Sequence, residues 1–167
     1  MKRSLFLVFS LLLSANLFAK TERSSPVKIK PSHKAALDKQ LKTAINTLNT
    51  TKIKKLIQQG ANVHTTISYG DTALMAAAYK GDLILVQYLV SKGANVKTKD
   101  KHGHTALMFA VENGHLGTAK YLISKGANVN ATDNIDKTAL IFAAKNGFLK
   151  IVKYLISKGA NVNATDR

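Results

Sequence analysis

The side chains best suited to chemistry are a close histidine pair and a few aspartates, all in turn-forming segments. His102 and His104 are separated by one residue, and Asp100 lies just before them. A catalytic metal needs about three protein ligands and an open position, and Asp100 is the sole carboxylate near the pair. Asp133 and Asp136 lie close together, but no acid on another element pairs with them, as acid–base catalysis requires. The pattern favours exposed polar turns over a metal site or an acid–base enzyme.

The motifs of several other enzyme classes are missing. The chain contains no cysteine, which excludes disulfide scaffolds, thiol nucleophiles and cysteine-ligated metal or iron–sulfur sites. Neither a phosphate-binding glycine loop nor a Gly-x-Ser-x-Gly nucleophile elbow occurs. We therefore predict a protein without catalytic activity that uses no cofactor and no metal ion.

The N-terminal segment has the three-part layout of a secretory signal peptide. Lys2 and Arg3 precede an apolar run at Leu5–Leu13, and Ala19 ends a stretch of small and mildly polar residues. The run is shorter than the roughly 20 apolar residues of a membrane span. This layout predicts a signal peptide over residues 1–19, export to the periplasm or the medium if the source is bacterial, and no transmembrane span after cleavage. A retained anchor and a cytoplasmic protein are the alternatives.

An internal repeat predicts the fold of the remaining chain. Gly-Ala-Asn-Val recurs every 33 residues, and residues 100–132 and 133–165 are identical at 22 of 33 positions. One such unit cannot bury its apolar face alone, so neighbouring units must stack to form a continuous core. After a basic linker over residues 20–33, the predicted domain spans residues 34–167. Its repeats are residues 34–66, a divergent N-terminal cap, and then 67–99, 100–132 and 133–165.

Each unit is predicted to contain two short helices. In the second unit, Thr72 precedes an alanine-rich helix and can cap its free amide groups. Gly81 ends that helix, because glycine adopts a positive φ at little cost. A second helix follows and ends at Lys92, whose charge complements the helix dipole. The same residue types recur 33 and 66 residues later.

This period and pattern resemble the ankyrin repeat family over residues 34–165. The family's Thr-Pro-Leu-His motif is Thr-Ala-Leu-Met at residues 72–75 and 105–108. The resemblance implies an all-α solenoid of stacked helix-turn-helix repeats with β-turn fingers. Asp136 stands where the two preceding repeats have the finger-turn glycines Gly70 and Gly103, so we expect its turn to be strained or shifted. The resemblance also implies one concave face, made of finger tips and first-helix ends, that binds partner proteins.

The repeats match at scaffold positions and differ at the finger tips and first-helix ends. The side chains at such positions can contact a partner. The alternative is that they differ only because they face solvent and no packing constrains their identity. Tyr69, Tyr79 and His102 are the strongest candidates, because aromatic anchors concentrate binding energy. The candidate partner-binding residues are Ser68, Tyr69, Asp71, Tyr79, Lys80, Lys101, His102, His104, Glu112, Asn113, Asn134, Ile135, Lys137, Lys145 and Asn146.

The C-terminal repeat has no polar capping unit after it. We therefore expect its apolar side to be partly uncovered. A large exposed apolar patch usually marks an interaction surface or a site prone to aggregation. Three interpretations are open: self-association through this end, truncation relative to a longer ancestor, or a last repeat that tolerates exposure. The apolar residues concerned are Ile141, Phe142, Phe148, Ile151 and Leu155.

Positive charge supplies an alternative function. The chain carries a formal net charge of +16, and residues 20–60 hold ten Lys or Arg residues against two acids. This favours attraction of the basic N-terminal region to an anionic envelope surface or another polyanion. Specific nucleic-acid binding is not favoured, because the periodic lysines are explained by charge at helix ends and an exported protein rarely meets nucleic acid. An exported protein-binding module remains the first prediction.

Overall fold

Stacked helix pairs form the part of the chain that the structure, a computed structural model, describes, residues 31–167. The two helices of each pair contact each other, and the first helices of successive pairs stack in a row. The predicted all-α solenoid is therefore confirmed. The helices of residues 31–167 are α1 (Pro31–Asn46), α2 (Thr50–Gln58), α3 (Ala73–Lys80), α4 (Leu83–Ser91), α5 (Ala106–Glu112), α6 (Leu116–Ser124), α7 (Ala139–Lys145) and α8 (Leu149–Ser157).

The N-terminal boundary differs from its prediction. Helix α1 begins at Pro31, so residues 31–33, which we assigned to the basic linker, are helical. Proline is well suited to the first turn of a helix because its fixed φ is helical and its missing amide hydrogen is not needed there. The predicted signal peptide and residues 20–30 of the predicted linker lie outside the described residues. Within residues 31–167, none of the helices combines the length and the hydrophobicity needed to cross a bilayer.

Threonine caps begin the first helices of the last three repeats. The hydroxyl groups of Thr72 and Thr105 accept hydrogen bonds from the amides of Met75 and Met108 at 3.2 and 3.3 Å. Thr138 caps α7 in the same way. Each threonine is extended in backbone conformation, which places its oxygen over the free amides of the first turn. The predicted capping role is confirmed.

The core is a continuous apolar seam between the two helix layers. Small residues let the first helices approach closely, since Ala77, Ala110 and Ala143 occupy one register position and are fully buried. Leucines of the second helices close the seam from the other side. The largest fully buried side chains are Leu41, Ile45, Ile53, Leu74, Met75, Leu85, Val86, Leu89, Leu107, Met108, Leu122 and Leu155.

The C-terminal repeat is better covered than we expected. Phe142, Ile151 and Leu155 are buried, so the prediction that they are uncovered is wrong. Their own helix pair and the preceding repeat bury them, which leaves Ile141 and Phe148 half-buried. The large apolar side chains exposed in this repeat are instead Ile135, Leu149, Ile156 and Val162.

Backbone hydrogen bonds join successive fingers. An isolated antiparallel bridge closes each finger, as between Lys99 and Thr105. The amide of Lys101 donates to the carbonyl of Tyr69 at 2.8 Å, and the amide of Asn134 donates to that of His102 at 2.9 Å. The amide of Arg167 repeats this contact at the carbonyl of Ile135, at 3.2 Å. These bonds fix the spacing of the finger tips.

Within residues 31–167, two turns place a non-glycine residue in the left-handed region. Asp136 has φ 62°, which confirms the expected strain in the last finger, and the Arg167 guanidinium contacts its carboxylate. Leu48 has φ 50° in the turn between α1 and α2, where the later repeats have glycine. A leucine in this conformation costs about 1 kcal/mol or more, and the packing of its side chain against the core offsets that cost.

Thr118 lies at a core position that the neighbouring repeats fill with Leu85 and Ile151. Its hydroxyl oxygen is buried and has no hydrogen-bond partner within residues 31–167. We expect Thr118→Val to raise the unfolding free energy by about 1 kcal/mol, because the buried hydroxyl is removed at nearly constant volume. Urea denaturation followed by circular dichroism measures the change. Thr105→Val is the matched control and should lower stability by a similar amount, since that hydroxyl caps α5.

Candidate functional site

Six aromatic or imidazole rings form a connected surface across the last three repeats, which we call the aromatic face. Tyr69 stacks on His102 with ring centroids 6.1 Å apart. His102 lies 5.9 Å from His104, which contacts Phe109 at 5.5 Å and Phe142 at 6.0 Å. Tyr79 meets the edge of Phe109 at 6.4 Å and completes the set. Fingers supply three of these rings and first helices supply the others.

Sequence reasoning missed two members of the aromatic face. Phe109 and Phe142 each lie four residues after the threonine cap of their helix, and Ala76 holds the same position in the second repeat. We assigned binding only to the finger tips and the helix ends. The signal that could have found them is the difference at this register position, alanine in one repeat and phenylalanine in the next two.

A cavity of about 280 Å³ opens where the second repeat has the smaller residue. Ala76 and Met75 form part of its lining, whereas a phenylalanine at residue 76 would extend into it. Exposed Tyr69 and half-exposed Tyr79 belong to its wall. The full lining is Ile45, Asn46, Leu48, Ile67, Tyr69, Asp71, Met75, Ala76, Tyr79 and Phe109.

Buried aspartates brace the two later fingers. One carboxylate oxygen of Asp100 accepts the amides of His102 and His104 at 2.8 and 2.7 Å. Asp133 holds the next finger in the same way. The His104 ring lies between these two carboxylates, with Nδ1 3.2 Å from Asp100 and Nε2 3.5 Å from Asp133. His104 therefore connects two repeats at the base of the aromatic face.

Asp71 occupies the finger position that His104 occupies one repeat later. Within residues 31–167 its carboxylate makes no hydrogen bond or ion pair, although it lines the cavity. Burial raises the pKa of Asp71, and the nearby Asp100 carboxylate raises it further, while His102 and His104 act in the opposite direction. Within the described residues, the site thus holds a partly desolvated carboxylate that has no direct ion-pair partner.

We expect Asp71→Asn to stabilise the free protein slightly at neutral pH. The pKa of Asp71 is raised on folding, so its ionised form opposes folding above that pKa, and the penalty disappears as the pH falls toward the ordinary aspartate range. Asp71 is half-buried, and screening by the remaining solvent limits the gain to about 0.5 kcal/mol. Urea unfolding at neutral and acidic pH should show a gain that shrinks on acidification. A loss of stability at neutral pH would contradict the assignment.

The candidate residues divide into those on the aromatic face and those that support it. Tyr69, Asp71 and Tyr79 meet at the cavity, and the Lys137 ammonium lies 6.0 Å from the Phe142 ring centroid. Ser68, Lys80, Lys101, Glu112 and Ile135 are exposed, and Lys145 lies 3.5 Å from Asp166. The amides of Asn113, Asn134 and Asn146 each donate to a backbone carbonyl, of Phe109, Lys101 and Phe142 respectively.

Those three asparagines are engaged in the scaffold, which sequence reasoning did not foresee. In a repeat protein a polar residue at a variable position can satisfy the free carbonyls of a helix end or hold a neighbouring finger. Within the part of the chain that the structure describes, no group of three or more histidine and acidic side chains is placed to hold a metal ion.

Comparison with protein families agrees with this architecture. A family described as ankyrin repeats in three copies matches residues 33–133, and the single ankyrin repeat matches residues 136–167. A search of curated proteins gave no match. Ankyrin repeats are generic protein–protein interaction modules, and the proteins that carry them are typically non-catalytic. The stacked helix pairs, the bridged fingers and these matches together show that the chain belongs to the ankyrin repeat family.

Proposed function

We propose that this protein is exported and binds a protein partner, without catalysis, on a concave surface that contains the aromatic face. The observation that carries the proposal is the exposure of Tyr69 and Tyr79 beside a preformed cavity. Tyrosine is enriched among the residues that dominate binding energy, because it offers a large apolar surface and a polar end. The proposed export rests on the N-terminal layout of residues 1–19.

Pre-organisation supports this assignment. The finger tips are held by backbone bonds between repeats and by the braces at Asp100 and Asp133. A surface that is ordered before binding loses less conformational entropy when a partner docks. The finger residues named above differ from repeat to repeat, so one scaffold can present different side chains along one surface.

The test is partner capture with paired variants. The bait is this protein with a photo-crosslinking residue in place of Ser68. The partner is captured from the exported fraction. We expect Tyr69→Ala plus Tyr79→Ala to weaken capture at least about 30-fold, which corresponds to about 2 kcal/mol. The matched control is Ile84→Ala plus Leu149→Ala, which removes exposed apolar side chains outside the aromatic face and should leave capture unchanged. Equal capture by both double variants would refute the proposed surface.

A second candidate function is adhesion to an anionic envelope surface through the basic N-terminal region. Lys42, Lys52 and Lys55 are exposed on α1 and α2, and within residues 31–167 they form no ion pair with an acid. Salt separates the two functions, because screening weakens electrostatic adhesion far more than a packed interface. Binding to anionic vesicles that is lost between about 0.05 and 0.5 M salt would support adhesion. Capture that persists over this range would support the docked interface.

A further inference from the structure

We propose that the cavity beside Tyr69 receives an arginine side chain of the protein partner. The inference rests on the proposed function, since it names the chemistry of the partner at that surface. Three observations carry it. The cavity has aromatic walls, the Asp71 carboxylate lines it, and its described lining contains no Lys or Arg although the protein is very basic.

The walls suit a flat cation. Tyr69, Tyr79 and Phe109 all line the cavity, and the Tyr69 ring also stacks on the ring of His102. Aromatic faces attract cations through their negative quadrupole, and a guanidinium also stacks on them because it is planar. Exposed tyrosines held in place before binding offer these faces at little entropic cost.

The carboxylate supplies the matching charge. Asp71 lines the cavity and makes no hydrogen bond or ion pair within residues 31–167. Burial and the nearby Asp100 carboxylate raise the pKa of Asp71, so both disfavour its ionised form in the free protein. A guanidinium can donate two parallel hydrogen bonds to one carboxylate, and such a pair is stronger than a neutral hydrogen bond. An arriving arginine would thus stabilise the ionised form of Asp71.

Charge around the cavity is consistent with this occupant. The chain has 25 Lys or Arg residues and nine acids, yet within residues 31–167 no Lys or Arg lines the cavity, and the carboxylate in its lining is that of Asp71. The volume of about 280 Å³ lies just below the usual range for small-molecule sites, which start at about 300 Å³. One long side chain is therefore a better fit than a larger ligand.

The experiment titrates the full-length chain with N-acetyl-arginine amide and follows backbone amides by NMR. We expect saturable shifts at Tyr69, Asp71 and Tyr79 with a Kd in the millimolar range. N-acetyl-citrulline amide has nearly the same shape without the charge and should bind at least about five-fold more weakly. N-acetyl-lysine amide should also bind more weakly, because an ammonium neither stacks nor forms the double hydrogen bond.

Three variants test the geometry. Asp71→Asn should weaken arginine-amide binding at least about five-fold, while Asp166→Asn, which removes an exposed carboxylate outside the cavity, should leave it unchanged. Ala76→Phe should abolish binding by filling the cavity with the side chain that the next two repeats carry at this position. Dispersed spectra of each variant verify that it is folded. Equal binding of arginine and citrulline amides, equal binding of arginine and lysine amides, or equal effects of the two charge variants would overturn the proposal.

The two proposals fail in different ways. The arginine titration needs no partner, so its failure alongside a loss of capture in the tyrosine double variant refutes the arginine site alone. Arginine binding together with capture that does not depend on Tyr69 and Tyr79 would refute the proposed partner surface.

Discussion

Gly103→Ala should lower the unfolding free energy by about 3 kcal/mol, the largest loss that we expect from a substitution in the fingers. Gly103 has φ 84°, a conformation that side chains other than glycine rarely adopt. A Cβ atom there would lie 2.8 Å from the Cα of Asp133 and 2.9 Å from the backbone nitrogen of Asn134. That nitrogen donates to the carbonyl of His102 at 2.9 Å, so the next finger cannot retreat without weakening this bond.

Gly126→Ala is the matched control for the conformational part of this loss. Gly126 has φ 88°, but a Cβ atom there meets nothing within 4 Å. Its substitution should cost about 1 kcal/mol, the ordinary penalty for a left-handed alanine. Urea unfolding of both variants measures the two losses of unfolding free energy. Their difference is the part due to the close contact between successive fingers. Equal losses would show that the fingers can separate without cost.

The fold was predictable because the last three repeats carry the same local signals. The threonine cap, the alanine row and the glycine at the helix end each act within a few residues, and the 33-residue period shows that they recur. The first residue of α1 was harder to predict, since Pro31 follows a lysine-rich segment without a helical period of apolar residues. The burial of Phe142 depends on packing between elements, which composition alone does not reveal.

The candidate site was only partly predictable for a similar reason. Differences between repeats pointed to Tyr69, Tyr79 and His102, and the structure joins these residues through the rings of His104 and Phe109. Ala76 lines the cavity at a register position where the next two repeats have phenylalanine, and this difference can be related to a cavity only once the packing of the repeats is known. The scaffold roles of Asn113, Asn134 and Asn146 also depend on the carbonyl groups that they contact. An asparagine in the sequence does not reveal whether it stabilises the scaffold or binds a partner.

The second large effect is expected from His104→Ala, which should lower the unfolding free energy at neutral pH by about 2 kcal/mol. The side chains of Asp100 and Asp133 are only 2% and 3% exposed, and the His104 ring lies between them. Removing the ring leaves two buried carboxylates near each other without the group that separates them, and it removes a contact between successive repeats. The expected loss is smaller than for a fully buried pair, because the His104 side chain is 28% exposed and solvent screens its interactions.

His102→Ala is the matched control, because this imidazole belongs to the same finger and is exposed. Its removal should change stability by less than about 0.5 kcal/mol. A double-mutant cycle with Asp133→Asn then isolates the bridge: once one carboxylate is neutral, His104→Ala should cost about 1 kcal/mol less than in the wild type. Urea unfolding of the four proteins supplies the coupling free energy. Additive losses would mean that His104 stabilises the fold by packing against Phe109 and Phe142 rather than by separating the buried acids.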